Sequence, residues 1–326
     1  MTAERGTPAA PVRTVFFGSG RFGVESLMRL DGLDRQDVID LVGVVTVPAR
    51  PAGRTQKLTT TLVEDAAGEL AITPILTPSR LRSADGIAAV QSLQPGLIVL
   101  VDYGQIVPGE LLDLPHGALN LHPSLLPRHR GASPIPATIL AGDARTGVTL
   151  MRMDQGLDTG PIVAQVPFEL TGRETSPALE GTLEQLGADL LEDSVGPWIR
   201  GELVATPQPE EGATLTRPLR REDGRLDPGR PALELERQVR AYLPWPGSFV
   251  ETSLLGRLIV HESAVGPSLP DDQPGVVVAE GSALALTTAD GRLRLTRVQL
   301  SGGRQMDAAS LRRGAPGLVG QPVELR

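Results

Sequence analysis

At 326 residues the chain is too long for one ordinary domain of about 100–200 residues and suits two. Its 40% hydrophobic and 21% charged residues exclude a disordered or collagen-like polymer, and the absence of cysteine excludes disulfides, thiolate metal sites and a cysteine nucleophile. A formal net charge of −8 argues against indiscriminate nucleic-acid binding, although the stretch up to Thr216 is acidic and the remainder slightly basic, which leaves room for a selective basic surface.

Residues 1–11, rich in Ala and Pro, read as a flexible tail. The opening MTAERGTPAAPVR lacks the basic-then-apolar order of a secretory signal, and no window approaches the ~18 uninterrupted apolar residues of a membrane span. The expectation is a cytoplasmic protein with no membrane partner. Residues 12–203 then alternate short β-rich runs with helical patterns, the signature of an α/β domain with a parallel-rich sheet. Strands are expected at Arg13–Gly18, Leu41–Thr46, Leu97–Val101 and Ala118–His122, followed by Val148–Met151 and Ile162–Val166. Helical spacing fits Val24–Leu30, Leu62–Leu70, Ile87–Leu93 and Ser176–Val195, the last with leucines at 179, 183, 186 and 190.

The text from Gly201 to Thr216, GELVATPQPEEGATLT, is rich in Pro, Glu and Gly and has no period, so residues 204–216 read as a linker. Residues 217–326 form the second domain. After a short helix around Leu233–Tyr242, the alternating runs SFVET, RLIVHESAV, GVVVAE, ALALTTA and RLRLTRVQL predict a small antiparallel β-barrel.

Gly18-Ser-Gly-Arg-Phe-Gly23 follows a strand and opens a helix, as the dinucleotide fingerprint does. That fingerprint also requires an acid at the end of the second strand, where this chain reads Val44-Val-Thr-Val-Pro48, with Asp37 and Asp40 at the wrong end. A nicotinamide-dependent oxidoreductase is therefore the alternative of a different class, and a tight turn that needs glycine is the simpler reading.

Leu119-Asn-Leu-His-Pro-Ser-Leu-Leu-Pro-Arg-His-Arg-Gly131 begins on a strand and runs into a loop, and period two puts Asn120 and His122 on one face. Met153-Asp-Gln-Gly-Leu-Asp-Thr-Gly160 supplies a second polar loop, from which Asp158 could reach the imidazole. An amide, an imidazole and a carboxylate suit acyl transfer to an amine. The tetrahedral intermediate carries an oxyanion that Asn120 and His122 N–H groups can receive, and Asp158 can fix the imidazole. By residue type alone, buried polar groups or turn caps are an equal reading. Asp154 and Asp158 as a glycosidase pair fit less well, since they share one loop. His116 reads as a turn residue and His261 as structural, and no cluster has metal-ligand spacing, so no metal is expected.

The pattern N-x-H-x-S-L-L-P-x-x-R-G-A, followed by Gly142–Thr149 (GDARTGVT) and Gly156–Gly160 (GLDTG), resembles the 10-formyltetrahydrofolate-dependent formyltransferase family. The resemblance implies a Rossmann-like catalytic domain with Asn120, His122 and Asp158 at its chemical centre and 10-formyltetrahydrofolate as formyl donor. It implies donor contacts from Val101, Asp102, Tyr103, Gly104 and Ile106 in VDYGQIVP, from Ser124, Leu125, Leu126 and Pro127, and from Met153, Asp154 and Leu157. The resemblance also implies that Ser124 belongs to the loop that shapes the site and has a structural role, not that of a nucleophile. Asp102 stands where the family carries a small apolar residue, and His129 where many members carry an aromatic one.

Arg50-Pro-Ala-Gly-Arg-Thr-Gln-Lys57 resembles the loop by which tRNA-acting members engage the acceptor end of initiator methionyl-tRNA, and Arg240–Gly247 (RAYLPWPG) resembles the start of their C-terminal OB-like domain. The resemblance implies Arg50, Arg54 and Lys57 as phosphate contacts, initiator methionyl-tRNA as partner and a monomer. A hydrolase-type use of the same donor, whose members the His129 variant also resembles, and a sugar-nucleotide acceptor are the alternatives within the family.

Overall fold

The computed structural model describes residues 10–52 and 57–324. In chain order its strands are β1 (Val12–Gly18), β2 (Ile39–Val45), β3 (Arg50–Ala52), β4 (Lys57–Thr59), β5 (Ile75–Leu76), β6 (Leu97–Val101), β7 (Ala118–His122), β8 (Arg130–Gly131), β9 (Arg145–Arg152), β10 (Ile162–Glu169), β11 (Leu215–Thr216), β12 (Ser248–Thr252), β13 (Gly256–Gly266), β14 (Val277–Glu280), β15 (Ala283–Thr287), β16 (Arg292–Leu300), β17 (Gln305–Asp307) and β18 (Val323–Glu324). The helices are α1 (Phe22–Arg35), α2 (Leu62–Glu69), α3 (Ala84–Gln91), α4 (Pro134–Ala141), α5 (Ser176–Ile199), α6 (Ala232–Ala241) and α7 (Ala308–Gly314).

Two packed units emerge. The first carries a sheet of order β10-β9-β7-β6-β1-β2-β5, in which β5, β2, β1, β6 and β7 run parallel and β9 runs antiparallel to β7. The sequence explains the layering. β6 is Leu-Ile-Val-Leu-Val, buried at every position, as a central parallel strand covered on both faces must be. α1 buries Phe22, Ser26, Leu27, Leu30 and Leu33, a stripe at helical spacing.

Helix starts follow their caps. Thr61 accepts the Glu64 N–H at α2, and Ser83 accepts the Gly86 N–H at α3. The Ser83 cap begins α3 at Ala84, earlier than the expected Ile87. α4 lies outside the helices expected from the sequence: Pro134 occupies its first turn, where no intrahelical N–H is needed, and Gly142 closes the helix at φ 66. The 204–216 stretch is also more ordered than a linker reading suggests, since Thr206 and Ile162 exchange backbone hydrogen bonds of 2.8 Å each way.

The second unit contains residues 132–145, 169–179 and 216–326, so its chain is not one continuous piece. Its antiparallel sheet has the order β14-β15-β16-β13-β12-β18, with β17 paired to β16, and forms a half-barrel consistent with an OB-like domain. The alternating faces of these strands supply Val250, Leu258, Val260, Leu286, Leu293 and Leu295 to one core, closed by Leu235 and Val239 of α6 and Leu311 of α7. Among the described residues no helix is long and apolar enough to cross a membrane.

Candidate active site

β1, β6 and β7 are parallel neighbours, so the loops that follow them leave the sheet at one edge. The glycine-rich turn after β1 lies against the end of β6: Ser19 and Gly20 N–H donate to the Asp102 carbonyl at 3.0 and 3.3 Å. The Asp102 carboxylate occupies the space beside Gly20, where an added Cβ would sit 1.6 Å from Oδ2. Any side chain at position 20 would have to displace it. The carboxyl group of Asp102 thus stands just ahead of α1, where the dinucleotide fingerprint would seat a pyrophosphate. Thr46, at the end of β2, spends its hydroxyl on Ser19 and Thr61 at 3.2 and 2.7 Å. These contacts account for Gly20 without a nucleotide.

Asp102 has φ 52 and is reached by solvent while ringed by protein, which raises its pKa. Nearby Glu180 is likewise raised, first by burial and then by Asp102 and Glu184, with Arg21 opposing. In the same loop Tyr103 packs edge-on to Phe17 with centroids 5.3 Å apart, and burial pushes its phenol up to about 12. Val101 is fully buried, whereas Gly104 and Ile106 are exposed, Ile106 at 68%.

Asn120 and His122 lie on β7, 7% and 5% exposed. The loop that carries Asp158 does not start at the same edge. Because β9 is antiparallel to β7, Met153 leaves it opposite Ala118, donating to that carbonyl at 2.8 Å, and the chain returns along β7. Asp158 adopts φ 53. Its Oδ2 accepts the Gly131 N–H at 2.7 Å and lies 3.7 Å from His122 Nδ1, while Asn120 Nδ2 is 3.5 Å from Oδ1. Gly160 closes the turn against the Arg152 carbonyl, which an added Cβ would meet at 1.9 Å. The three groups expected from the sequence therefore converge.

His122 Nε2 is 2.9 Å from the His129 carbonyl, an atom that only accepts, so Nε2 carries a proton and Nδ1 is the nitrogen left for chemistry. Burial lowers the His122 pKa from its ordinary value, while the Asp158 carboxylate and the His129 carbonyl pull the other way. The resting imidazole is neutral with a bare Nδ1 beside a carboxylate.

The remaining sequence candidates divide into exposed and inward-facing groups. Ser124 is fully buried and donates to the Arg128 carbonyl at 2.7 Å, and Leu126 is 3% exposed. Thr149 and Gln165 bind that loop from behind: Thr149 Oγ1 donates to the Ser124 carbonyl at 2.7 Å and Gln165 Nε2 to the Leu126 carbonyl at 2.9 Å. Leu125 and Pro127 are half-buried. Met153 packs on the core that holds Val107 and Leu111. Asp154 is committed within its own loop, accepting from Gly156 N–H and the Thr159 hydroxyl at 2.9 and 2.8 Å. Leu157 is 59% exposed. Arg50 and Lys57 are exposed on the β3–β4 hairpin and form no ion pair among the described residues, whereas Arg54 lies outside them.

Residues the sequence reading missed include Gln208, whose amide donates to the Asp158 and Gly160 carbonyls at 2.8 and 2.7 Å, and Thr214, whose hydroxyl accepts the His129 N–H at 2.8 Å. Nothing in the aperiodic text around them signals these contacts. Among the described residues no group of His, Asp and Glu could hold a metal.

Comparison with known proteins identifies the family. Residues 12–195 match the formyl transferase family and residues 218–316 its C-terminal domain. The methionyl-tRNA formyltransferase of Myxococcus xanthus is 41% identical over 312 residues, spanning 94% of this chain and 96% of that relative. That of Roseiflexus sp. is 40% identical over 305 residues, spanning 93% of each. In fold, the chain resembles the N-formyltransferase of Helicobacter canadensis solved with folinic acid and dTDP-3-aminofucose, with a TM-score of 0.63 at 17% identity over 90% of this chain and all of that one. A family match over both units, with relatives of this identity along nearly the whole chain, shows that the protein is a transferase of the formyltransferase family, on the methionyl-tRNA formyltransferase branch.

Proposed function

We propose that the chain transfers the formyl group of 10-formyltetrahydrofolate to the α-amino group of methionine on initiator methionyl-tRNA, for translation initiation. The observation that carries this reading is the meeting of Asn120, His122 and Asp158 within 3.5–3.7 Å in a member of this family. When bound, the donor supplies an activated formyl carbon on nitrogen. Asn120 Nδ2 then donates to the oxygen that becomes an oxyanion as the methionyl amine adds. His122, neutral at rest, takes the proton that the amine must lose at Nδ1. The imidazolium so formed is stabilised by Asp158, held by the Gly131 N–H, and Nδ1–H becomes a second donor to the oxyanion before passing its proton to the departing folate nitrogen.

The exposed Ile106 and Leu157 offer apolar surface to the donor, alongside Asp102, Tyr103, Gly104, Leu125, Pro127 and Met153. Gln155 Nε2 lies 3.2 Å from where a Cβ on Gly109 would be, so the 101–109 and 153–157 loops abut and can form one pocket. Val101, Ser124, Leu126 and Asp154 support those loops from within. Arg50, Arg54 and Lys57 are proposed to hold phosphates of the tRNA acceptor end.

The test is to incubate the protein with 10-formyltetrahydrofolate, with and without initiator methionyl-tRNA, and to follow formyl-methionyl-tRNA and free formate separately. Formylated tRNA is expected. Formate at the same rate with and without tRNA, and no formylated tRNA, would move the chain to a hydrolase.

A further inference from the structure

We infer that Gln208 and Thr214, in the stretch that reads as a linker, are positioning residues for the reacting groups: they fix the two segments between which the Asp158 carboxylate is held. The inference rests on the role proposed above for Asp158 and His122.

Gln208 Nε2 donates to the carbonyls of Asp158 and Gly160 at 2.8 and 2.7 Å, and its Oε1 accepts from Arg130 Nε at 3.0 Å. One amide therefore joins the Asp158 turn to the segment whose Gly131 N–H donates to Asp158 Oδ2 at 2.7 Å. Rotating Asp158 in its plane would break contacts on both sides. Asp158 has φ 53, a backbone region that a residue with a side chain keeps only when its surroundings hold it there. The Gln208 amide, with both donors on that turn, is such a constraint.

Thr214 acts on the imidazole side. Its hydroxyl accepts the His129 N–H at 2.8 Å and its carbonyl accepts the Arg130 N–H at 2.9 Å. His129 in turn offers the carbonyl that binds His122 Nε2. Thr214 therefore sets the height of the acceptor that fixes the imidazole tautomer, and Gln208 sets the carboxylate opposite Nδ1. The paired bonds between Thr206 and Ile162 anchor the start of the same stretch.

Two substitutions at position 208 separate positioning from mere filling. Gln208→Met keeps length and bulk but has neither donor nor acceptor. Gln208→Glu keeps an acceptor for Arg130 and presents no donor to the two carbonyls. Both are expected to lower kcat by roughly 10–100-fold, Glu at least as much as Met, while KM for folate and for tRNA stays within about two-fold. Thr214→Val is expected to lower kcat in the same way, and Thr214→Ser, which restores the hydroxyl, to recover most of it.

Wild-type kcat in Gln208→Met or Gln208→Glu would overturn the assignment of Gln208, and wild-type kcat in Thr214→Val that of Thr214. If neither Gln208 variant folds, as judged by thermal melting, Gln208→Asn, which keeps the amide but shortens its reach, takes their place, and wild-type kcat in it would overturn the assignment of Gln208. Failure of the wild-type protein to formylate tRNA would instead sink the functional reading. An active wild type with undiminished variants sinks only the positioning role.

Discussion

His122 Nε2 sits 2.9 Å from the carbonyl oxygen of His129. Since that oxygen can only accept, the contact commits one imidazole nitrogen to structure and leaves Nδ1, 3.7 Å from Asp158 Oδ2, as the nitrogen that can exchange a proton. The gap to the carboxylate is too long for a direct hydrogen bond, so Nδ1 is not already satisfied.

The burial of this imidazole predicts a pH-dependent stability. Its folded pKa lies below the ordinary 6.5, so as pH falls below about 6.5 the unfolded chain takes up a proton that the folded chain resists. Stability is therefore lost on acidification, beginning near the unfolded pKa and continuing until the folded pKa is passed. Thermal melts between pH 8 and pH 5 should show a smaller loss in His122→Asn than in the wild type. Equal slopes in the two proteins would show that His122 is not the group responsible.

Asn120→Ala removes one donor from the proposed oxyanion site. Turnover should fall by ~10²–10³ with little change in KM, because that donor is worth most when charge develops. The melting temperature should change little, since the Asp158 carboxylate keeps its 2.7 Å bond from Gly131. Near-normal turnover would remove Asn120 from the mechanism.

Gly20 and Asp102 should be energetically coupled. Gly20→Ala places a methyl 1.6 Å from the Asp102 carboxylate and should destabilise the fold, while the double variant with Asp102→Ala should recover part of the loss. A coupling of ~0.5–3 kcal/mol in denaturant titrations is expected for residues in such contact. Additive effects would mean that the carboxylate moves aside freely.

Arg50 and Lys57 predict a salt effect. Replacing both by Ala should weaken tRNA engagement and flatten its dependence on salt, because fewer counterions are released, and should leave the affinity for folate unchanged. Steady-state kinetics at several ionic strengths would check this. Unchanged tRNA kinetics would rule out the hairpin as a phosphate contact.

Local pattern made much of this protein legible from its sequence. Strands such as Leu97–Val101 and helices such as Ser176–Ile199 announce themselves because burying one face, or all of a strand, imposes a period on the residues. Period two placed Asn120 and His122 together for the same reason, and the motifs around them pointed to the family.

Tertiary structure decided what no period encodes. The antiparallel run of β9 brings the Asp158 turn back along β7, and the sequence around Asp158 does not say in which direction its strand will pair. Pro134 could break a helix or begin one, and in the fold it begins α4. The contacts of Gln208 with Asp158, of Thr214 with His129 and of Asp102 with Gly20 join residues 50, 85 and 82 positions apart. Single polar groups of this kind leave no repeating trace. Their partners are chosen only when the packed sheet and loops remove water and leave each donor one acceptor within reach.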